Sequence, residues 1–196
     1  MSTFNAELAM QELKNLIRSS VRLEEDDLQK ILGYFTFKTL QKGHLLLKRG
    51  QIASHYYFLN KGALRFFYND DQELTAWIVQ PGEFFAEISS LNPGLPSRFN
   101  IEAIVDSELY CIHKNDMDLL YKQIPAWQEF GRKLWEGMSV RMISEIISFQ
   151  TMTVEERYLA FLQKPGFMQF ISVKQLASYL GITPNALSRI RKNLRK

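Results

Sequence analysis

The last 26 residues of the chain, 171–196, have the spacing that most restricts its fold. Counted from Val173, apolar residues fall at positions 4, 8, 10, 15 and 18, with alanine at position 5 and glycine at position 9. A small residue lets two helices cross closely, and glycine tolerates the left-handed backbone of a tight turn. The pattern therefore predicts two short helices joined at Gly181, which is a helix-turn-helix.

The second helix of this motif has its own start signal. Thr183 can cap it, and Pro184 suits its first turn, where no amide hydrogen is needed. Leu187 and Ile190 then line one face of the helix. We expect this second helix to span residues 184–194.

Positive charge is concentrated in the same segment. Residues 172–196 contain no Asp or Glu and six cations: Lys174, Arg189, Arg191, Lys192, Arg195 and Lys196. Because the net charge of the whole chain is +3, residues 1–171 carry a net −3. A basic patch beside a groove-sized helix is typical of a DNA contact. The alternative, a solvated helix with a charged tail, leaves the apolar and glycine spacing unexplained.

Composition limits the class of protein. A length of 196 residues, 46% of them hydrophobic, is enough for a packed core. No run of apolar residues is long enough for a membrane span, and the N-terminus lacks the apolar core of a signal peptide. The single cysteine, Cys111, excludes an internal disulfide framework. We expect a cytoplasmic protein with no membrane partner.

The first two thirds of the chain change from helical to β periodicity. Helices are predicted over 4–17 and 24–34. Short β-rich runs separated by turn residues follow at 35–39, 44–48, 55–60, 62–68, 74–79, 84–86, 99–105 and 107–112. Residues 69–72 are typical of a hairpin tip. Many short strands at this spacing favour a β sandwich or jelly roll.

Helical periodicity returns at residue 115. Helices are predicted over 115–122, 125–150 and 154–162, with a turn at 164–166 and a short strand, a possible wing, at 167–171. The helix over 125–150 spans roughly 37 Å and has an apolar stripe too wide for one contact. We expect it to pack on its own β domain and on a second copy of the chain. The alternative is a core helix of a single chain.

The predicted fold class is α+β. It consists of an N-terminal antiparallel β roll or jelly roll with leading helices (1–124), a long dimerisation helix (125–150) and a C-terminal winged helix-turn-helix (151–196).

This order of parts, together with PGEFFAEISSLNPGLPSRFNIEAIVDS at 81–107, resembles the Crp/Fnr family of bacterial transcription regulators over nearly the whole length. Gly50, Gly62 and Gly82 fit turns of the family's β roll. The stretch LASYLGITPNALSRIRK is most similar to members from the Bacteroidetes. The resemblance implies a homodimer that binds double-stranded DNA at a promoter or operator, with RNA polymerase as a further partner.

The resemblance also implies an effector site in the β roll, formed by Gly82, Glu83, Phe84, Phe85, Ala86, Glu87, Arg98 and Phe99. In members that bind cyclic AMP, backbone amides and an arginine hold the cyclic phosphate and a glutamate binds the ribose. Glu87 and Arg98 match those two residues. The chain departs from the pattern at three positions: Ala86 replaces glycine, Phe99 a small hydroxyl residue and Asn100 alanine.

Three interpretations of this cassette stay open. It binds a cyclic nucleotide, it contains a structural Glu87–Arg98 pair in a vestigial pocket, or it binds another small effector. The ring of Phe99 either lies near the phosphate position or turns inward and fills space.

The sequence does not favour an iron–sulfur cluster, a haem, another metal site or an enzyme active site. A lone Cys111 excludes the N-terminal iron–sulfur cluster of oxygen-sensing relatives, and a cysteine on a strand is expected in the core. His44, His55 and His113 are isolated in sequence, so no haem or metal is expected. The chain lacks HExxH, GxSxG and the clustered histidines of cupins, and we do not expect an enzyme.

The resemblance assigns DNA contacts to Lys174, Thr183, Pro184, Asn185, Ser188, Arg189, Arg191 and Lys192. Arg189 suits guanine, and Asn185 suits adenine. Lys174, Arg191 and Lys192 suit phosphates, and Thr183 and Ser188 suit phosphates or bases. Pro184 and Asn185 stand where cyclic-AMP-binding members carry arginine and glutamate, which predicts a different operator. The leading hypothesis is a sequence-specific dimeric regulator, and the alternative is a ligand-binding module whose main role is sensing.

Overall fold

The computed structural model describes residues 10–69, 73–163 and 170–194. Two helices come first, α1 (Gln11–Ser20) and α2 (Glu25–Leu32). Strands and a short helix follow: β1 (Thr36–Leu40), β2 (Leu45–Leu47), β3 (His55–Lys61), β4 (Leu64–Asn69), β5 (Glu73–Val79), β6 (Phe84–Phe85), α3 (Ile88–Leu91), β7 (Asn100–Ala103) and β8 (Ser107–His113). The later helices are α4 (Lys114–Gln123), α5 (Pro125–Thr151), α6 (Val154–Leu162), α7 (Val173–Leu180) and α8 (Pro184–Asn193).

The predicted α+β class is confirmed, and each strand predicted between residues 35 and 112 occurs with ends within two residues of those expected. The first predicted helix begins at Gln11 where the structure describes it, and residues 4–9 lie outside the described ranges. The hairpin tip at 70–72 and most of the predicted wing, 164–169, also lie outside them. Of the predicted wing strand, Phe170 and Ile171 are described, and they are not in a strand.

Two four-stranded antiparallel sheets form the β roll. Their strand orders are β1-β8-β3-β6 and β2-β7-β4-β5. Both sheets contribute fully buried side chains to the core, among them Phe58, Leu59, Leu64, Ile101 and Leu109. Full burial of a side chain of this size stabilises the fold by about 1.5–3 kcal/mol. The roll is therefore the rigid body on which the helices are mounted.

An aromatic cluster attaches the start of α5 to the roll. Trp127 and Phe130 are fully buried, with stacked rings whose centroids lie 4.5 Å apart. Phe130 meets Phe84 of β6 edge-on at 6.0 Å, and Trp127 meets Phe35 at 6.5 Å. Edge-to-face pairs add about 0.5–1.5 kcal/mol to the burial of the rings. The beginning of α5 is thus fixed to the sensor half of the chain.

The second half of α5 has a different environment. Its large apolar side chains are at the surface of the chain, where Val140 is 64% exposed and Ile143 is 57% exposed. Further exposed members of this face are Met142, Ile146, Ile147 and Phe149. The interpretation of α5 as a core helix of a single chain is therefore wrong. The expected contact with the chain's own β domain runs from the first turns of α5 to Arg141, which forms an ion pair with Glu83.

The C-terminal helices form their own small core. Leu176, Ala177 and Leu180 of α7 pack with Leu187 and Ile190 of α8, and all five are buried. Tyr158 and Phe161 of α6 join this cluster, as do Ala63, Ile78 and Ile104 of the roll.

Side-chain caps set the boundaries of these helices. Ser172 and Gln175 form a capping box at α7, and Gly181 ends that helix with φ +72° in the left-handed region. The Thr183 side chain then caps α8, in which Pro184 takes the first position. The helix-turn-helix backbone predicted from the glycine, threonine and proline is confirmed. None of the helices in the described ranges is long and apolar enough to cross a membrane.

Candidate functional site

Helix α8 buries one face on α7 and exposes the other. Leu187 and Ile190 point inward, with exposed fractions of 0% and 8%. Six predicted DNA-contact residues on α8 and at its cap are exposed: Thr183, Pro184, Asn185, Ser188, Arg189 and Lys192. Asn185 and Arg189 are four residues apart, so they share one helix face. The structure therefore groups the two predicted base-reading residues on the exposed surface.

The first turn of α8 is stabilised by its own side chains. Thr183 Oγ1 accepts a hydrogen bond from the Ala186 amide at 3.2 Å, and Ser188 Oγ donates to the Pro184 carbonyl at 3.0 Å. The N-terminus of a helix favours an approaching anion because its amides and dipole point there. A phosphate group can thus be bound at the start of α8 while its side chains stay ordered.

Two of the predicted phosphate contacts are placed differently from Arg189. Arg191 is partly buried, with its guanidinium 5.7 Å from the ring centroid of Tyr158 on α6. Lys174 is exposed, and its Nζ lies 3.9 Å from Oε2 of Glu73 on β5. In this arrangement Arg191 packs between α8 and α6, whereas Lys174 faces the β roll.

Helix α7 is docked on strand β5 through one serine. Ser178 Oγ accepts a hydrogen bond from the Thr75 amide at 2.8 Å and donates to the Glu73 carbonyl at 2.8 Å. The hydroxyls of Ser178 and Thr75 lie 3.1 Å apart. Strand β5 is at the edge of its sheet, so Ser178 takes backbone groups that a further strand would otherwise bind. No sequence pattern relates residues so far apart, and sequence reasoning missed this contact.

A buried arginine on the neighbouring strand binds the side chain of Glu73. Arg65 of β4 is 5% exposed, and its guanidinium lies 4.1 Å from the ring centroid of Phe67. It donates to the carboxylates of Glu73 and Glu102, each at 2.8 Å. The hydrogen bond from Arg65 holds the pKa of Glu73 below its usual 4.5, so this carboxylate is charged at neutral pH. This network could not be predicted from the sequence, because Arg65 follows ordinary strand alternation.

A cavity of about 570 Å³ lies between the predicted effector cassette and α5. Five aromatic side chains line it: Phe66, Trp77, Phe85, Phe99 and Trp135. Helix α5 adds Met138, Ser139 and Met142. A mostly apolar cavity of this volume is typical of a small-molecule site. The contribution of α5 was missed from the sequence, although its unusually wide apolar stripe was the available signal.

The structure divides the eight predicted effector residues into two groups. Phe85, Ala86, Glu87 and Phe99 line the cavity. The other four, Gly82, Glu83, Phe84 and Arg98, are not among its lining residues.

The second group has structural surroundings of its own. Gly82 takes a turn with φ +85°, and Glu83 forms an ion pair with Arg141 of α5. Phe84 packs in the aromatic cluster under α5, and Arg98 is exposed. Only half of the predicted residues are therefore brought together at one place.

Known proteins match this chain over the β roll and also over most of its length. Residues 37–123 match the family described as "Cyclic nucleotide-binding domain". The chain is 28% identical over 178 residues to the cyclic AMP receptor protein of Thermus thermophilus, covering 86% of this chain and 81% of that protein.

Two solved structures extend the likeness to the fold. A regulator of the Crp/Fnr family from Eubacterium rectale has a TM-score of 0.70 at 15% identity, covering 88% of this chain and 84% of that one. FixK2 from Bradyrhizobium japonicum has a TM-score of 0.68 at 20% identity, covering 82% and 84%. The chain has the Crp/Fnr fold. The Thermus protein is described as a receptor protein and the Eubacterium protein as a transcriptional regulator.

Within this Crp/Fnr fold, Glu87 caps the short helix α3. Its Oε1 accepts hydrogen bonds from the amide of Ser89 at 3.2 Å and from Ser89 Oγ at 2.6 Å. Its Oε2 is buried without a hydrogen-bond partner among the described residues. The interpretation of Glu87 and Arg98 as a structural pair is wrong, since Glu87 is 4% exposed and bonded to Ser89 while Arg98 is at the surface.

The ring of Phe99 forms part of the cavity wall. It meets Phe66 edge-on with centroids 6.2 Å apart and Tyr68 at 5.8 Å. The ring therefore packs on the β roll and also lines the cavity. This ring narrows the part of the cassette that a small hydroxyl residue would leave open.

The histidines and the cysteine of this Crp/Fnr-like roll are separate from the cavity lining. His55 and His113, which are distant in sequence, lie side by side across β3 and β8 with ring centroids 5.1 Å apart. The described ranges contain no group of three or more His, Cys, Asp or Glu that could hold a metal. Cys111 is buried, as predicted, and burial raises the pKa of its thiol to about 11.

Proposed function

We propose that this protein is a sequence-specific, homodimeric DNA-binding transcription regulator whose β roll responds to a small effector. The observation that carries this proposal is the capped helix-turn-helix of α7 and α8, which exposes Asn185 and Arg189 on one polar face. Such a helix fits the major groove of B-form DNA. The cations of this segment supply the attraction to phosphate that DNA binding requires.

Arg189 is the proposed base-reading residue. A guanidinium presents two parallel donors, which match the O6 and N7 acceptors of guanine. Asn185 lies one turn earlier on the same face and matches adenine. Lys192 and Lys174 contribute phosphate contacts without base preference.

A second copy of the chain is part of the proposal. The exposed apolar face of α5, with Ile143 and Ile147 about half exposed, supports a helix–helix contact across a two-fold axis. A dimer places two recognition helices about 34 Å apart, which corresponds to one turn of DNA. The proposed units are therefore the sensor roll with its leading helices (1–124), the dimer helix (125–150) and the DNA-binding unit (151–196), in a cytoplasmic protein whose further partner is RNA polymerase.

The test is selection of bound sequences from a random pool of duplex DNA, followed by titration of the selected site. Arg189→Ala is expected to weaken binding by about 1–3 kcal/mol and to relax preference at one base pair in each half-site. Lys192→Ala, the matched control on the same helix, is expected to weaken binding to all sequences and to lower the salt slope by about one unit.

A ligand-binding module without a DNA role is the second candidate, favoured by the size of the cavity beside α5. The same titration separates the two. If affinity for DNA does not change with salt and no sequence is enriched, the regulator proposal fails and the ligand-binding module remains.

A further inference from the structure

The cavity between the cassette and α5 offers little to an anion. Its lining contains one carboxyl group, and none of the described lining residues is Lys, Arg or His. The two serines of the wall already donate their hydroxyl hydrogens within the protein, Ser89 to Glu87 and Ser139 to the Trp135 carbonyl. An anionic group placed here would lose its hydration without meeting a cation or a free hydroxyl donor.

The arginines nearest in the fold do not correct this deficit. Arg98, the match to the phosphate-binding arginine of cyclic-AMP-binding relatives, lies at the surface outside the lining. Arg141 of α5 forms an ion pair with Glu83, and its guanidinium lies 4.2 Å from the ring centroid of Trp77. Its charge is therefore already paired, and Arg141 is not a lining residue of the cavity.

Glu87 points to the opposite charge. It is 4% exposed and is a lining residue of the cavity, and its Oε2 is buried with no hydrogen-bond partner within residues 10–69, 73–163 and 170–194. Almost all buried polar atoms in folded proteins have a partner, so an orphaned carboxyl oxygen favours a ligand that donates a hydrogen bond. A donor that also carries positive charge makes the strongest such bond.

The rest of the wall suits a cation with an apolar body. Trp77 and Trp135 stand with three phenylalanines around the same space. The faces of aromatic rings attract ammonium groups, and tryptophan does so most strongly. Met138 and Met142 add adaptable apolar surface on the α5 side.

From these observations we infer that the cavity binds an organic ammonium ion with an apolar body, whose ammonium group donates to Glu87. The inference rests on the proposed sensing role of the roll and names the chemical class of its effector. It replaces a cyclic nucleotide with a ligand of opposite charge at the same place in the fold.

The test compares three probes that each carry a phenyl ring on a four-carbon chain: 4-phenylbutylamine, 4-phenylbutanol and 4-phenylbutyrate. Two of the protein's three tryptophans, Trp77 and Trp135, line the cavity, so tryptophan fluorescence reports occupancy. Excitation at the red edge of the tryptophan band avoids absorption by the phenyl probes. We expect the amine to bind at least about tenfold more tightly than the carboxylate, with the alcohol between them.

The variant Glu87→Gln assigns the charge preference to one residue. Glutamine keeps the shape and an oxygen for Ser89 but removes the negative charge. Affinity for the amine is expected to fall about tenfold or more, and affinity for the alcohol by less than about threefold. Glu136→Gln is the matched control, because this exposed carboxylate of α5 pairs with Arg132 and is not a lining residue. It is expected to leave all three affinities unchanged.

Three outcomes would overturn the inference: tighter binding of 4-phenylbutyrate or cyclic AMP than of the amine, an equal loss for amine and alcohol in Glu87→Gln, or no binding of the amine. If Glu87→Gln does not fold, the order of the three probes on the unchanged protein decides. DNA selection is measured separately. A protein that binds the amine but enriches no DNA sequence contradicts the regulator proposal and not the ligand class.

Discussion

Arg65 neutralises two carboxylates inside the β roll, and its removal is predicted to be costly. Arg65→Met leaves Glu73 and Glu102, whose side chains are 22% and 19% exposed, without their cation. Breaking a largely buried pair in this way destabilises a protein by about 3–5 kcal/mol. Arg18→Met is the control, since its pair with Glu25 is more than half exposed and is worth less than about 1 kcal/mol. Urea denaturation of the three proteins measures the difference.

The same substitution should change how stability depends on pH. The pKa of Glu73 is lowered by its hydrogen bond from Arg65, so the folded state holds fewer protons at this site than the unfolded state. This contribution is fully present above the usual value of 4.5 and is lost as pH falls through the lowered value. The gap in unfolding free energy between wild type and Arg65→Met should therefore narrow below about pH 4.5. A gap that stays constant from neutral to acid pH contradicts this assignment.

Glu87 and Arg98 show what sequence could and could not reveal about single residues. Both match a family motif, and the motif led us to expect them in one site. The position of Glu87 at the start of α3 depends on local sequence, because its hydrogen bonds are to Ser89, two residues later in the chain. Arg98 follows the loop after α3, where the direction of the side chain depends on packing that no short motif records. The motif therefore predicted that Glu87 lies at the cavity, but it did not predict the exposed position of Arg98.

Two glycines of α5 give a test of how this helix is seated. A methyl group at Gly131 would overlap the ring of Tyr121 on α4, whereas nothing lies within 4 Å of the equivalent position at Gly137. Gly131→Ala is expected to destabilise the protein by about 1–3 kcal/mol through overpacking. Gly137→Ala is expected to stabilise it by about 0.5–1 kcal/mol, because alanine is the better helix former. Thermal unfolding of both variants distinguishes them, and a gain in stability for Gly131→Ala would show that α4 and α5 are seated differently.

Secondary structure was largely predictable because its causes are local. Turn residues and apolar alternation set the strands, and Gly181, Thr183 and Pro184 set the break between α7 and α8. The docking of α7 on β5 was not predictable, because it depends on Ser178 meeting backbone groups more than 100 positions earlier in the chain. Helix α5 lies between these cases. Its length and excess of apolar residues were evident, but the part that lines the cavity was not.

The exposed apolar face of α5 leads to a prediction about assembly. Ile143→Asp with Ile147→Asp places two charges in the proposed contact between copies, where they have no partner. We expect a monomer by analytical ultracentrifugation, and DNA affinity at least about a hundredfold lower because the two half-sites are no longer bound together. Gln128→Asp, an exposed position near the start of the same helix, is the control and should leave the dimer intact. A double variant that remains a dimer rules out this face as the interface.

The cavity and the proposed DNA-binding unit share strand β5. Ala76 and Trp77 line the cavity, and Thr75, the preceding residue, binds Ser178 of α7. Helix α5 also contacts both, since Trp135 lines the cavity and Glu145 accepts a hydrogen bond from Tyr179 of α7 at 3.1 Å. Both β5 and α5 therefore contact α7 directly. A ligand that shifts either of them changes the position of α7 without a further element between. This short path makes a two-state response physically reasonable.

The edge position of β5 has a further consequence for the protein in solution. While Ser178 covers the Thr75 amide and the Glu73 carbonyl, the edge of the sheet is closed to other strands. Any movement that frees the DNA-binding unit also uncovers that edge, and uncovered edges pair with those of neighbouring molecules. The released form should thus be the one that aggregates on storage or overexpression. Operator DNA or a stabilising effector added during purification should keep the protein in solution, because each favours an arrangement in which the edge of β5 stays covered.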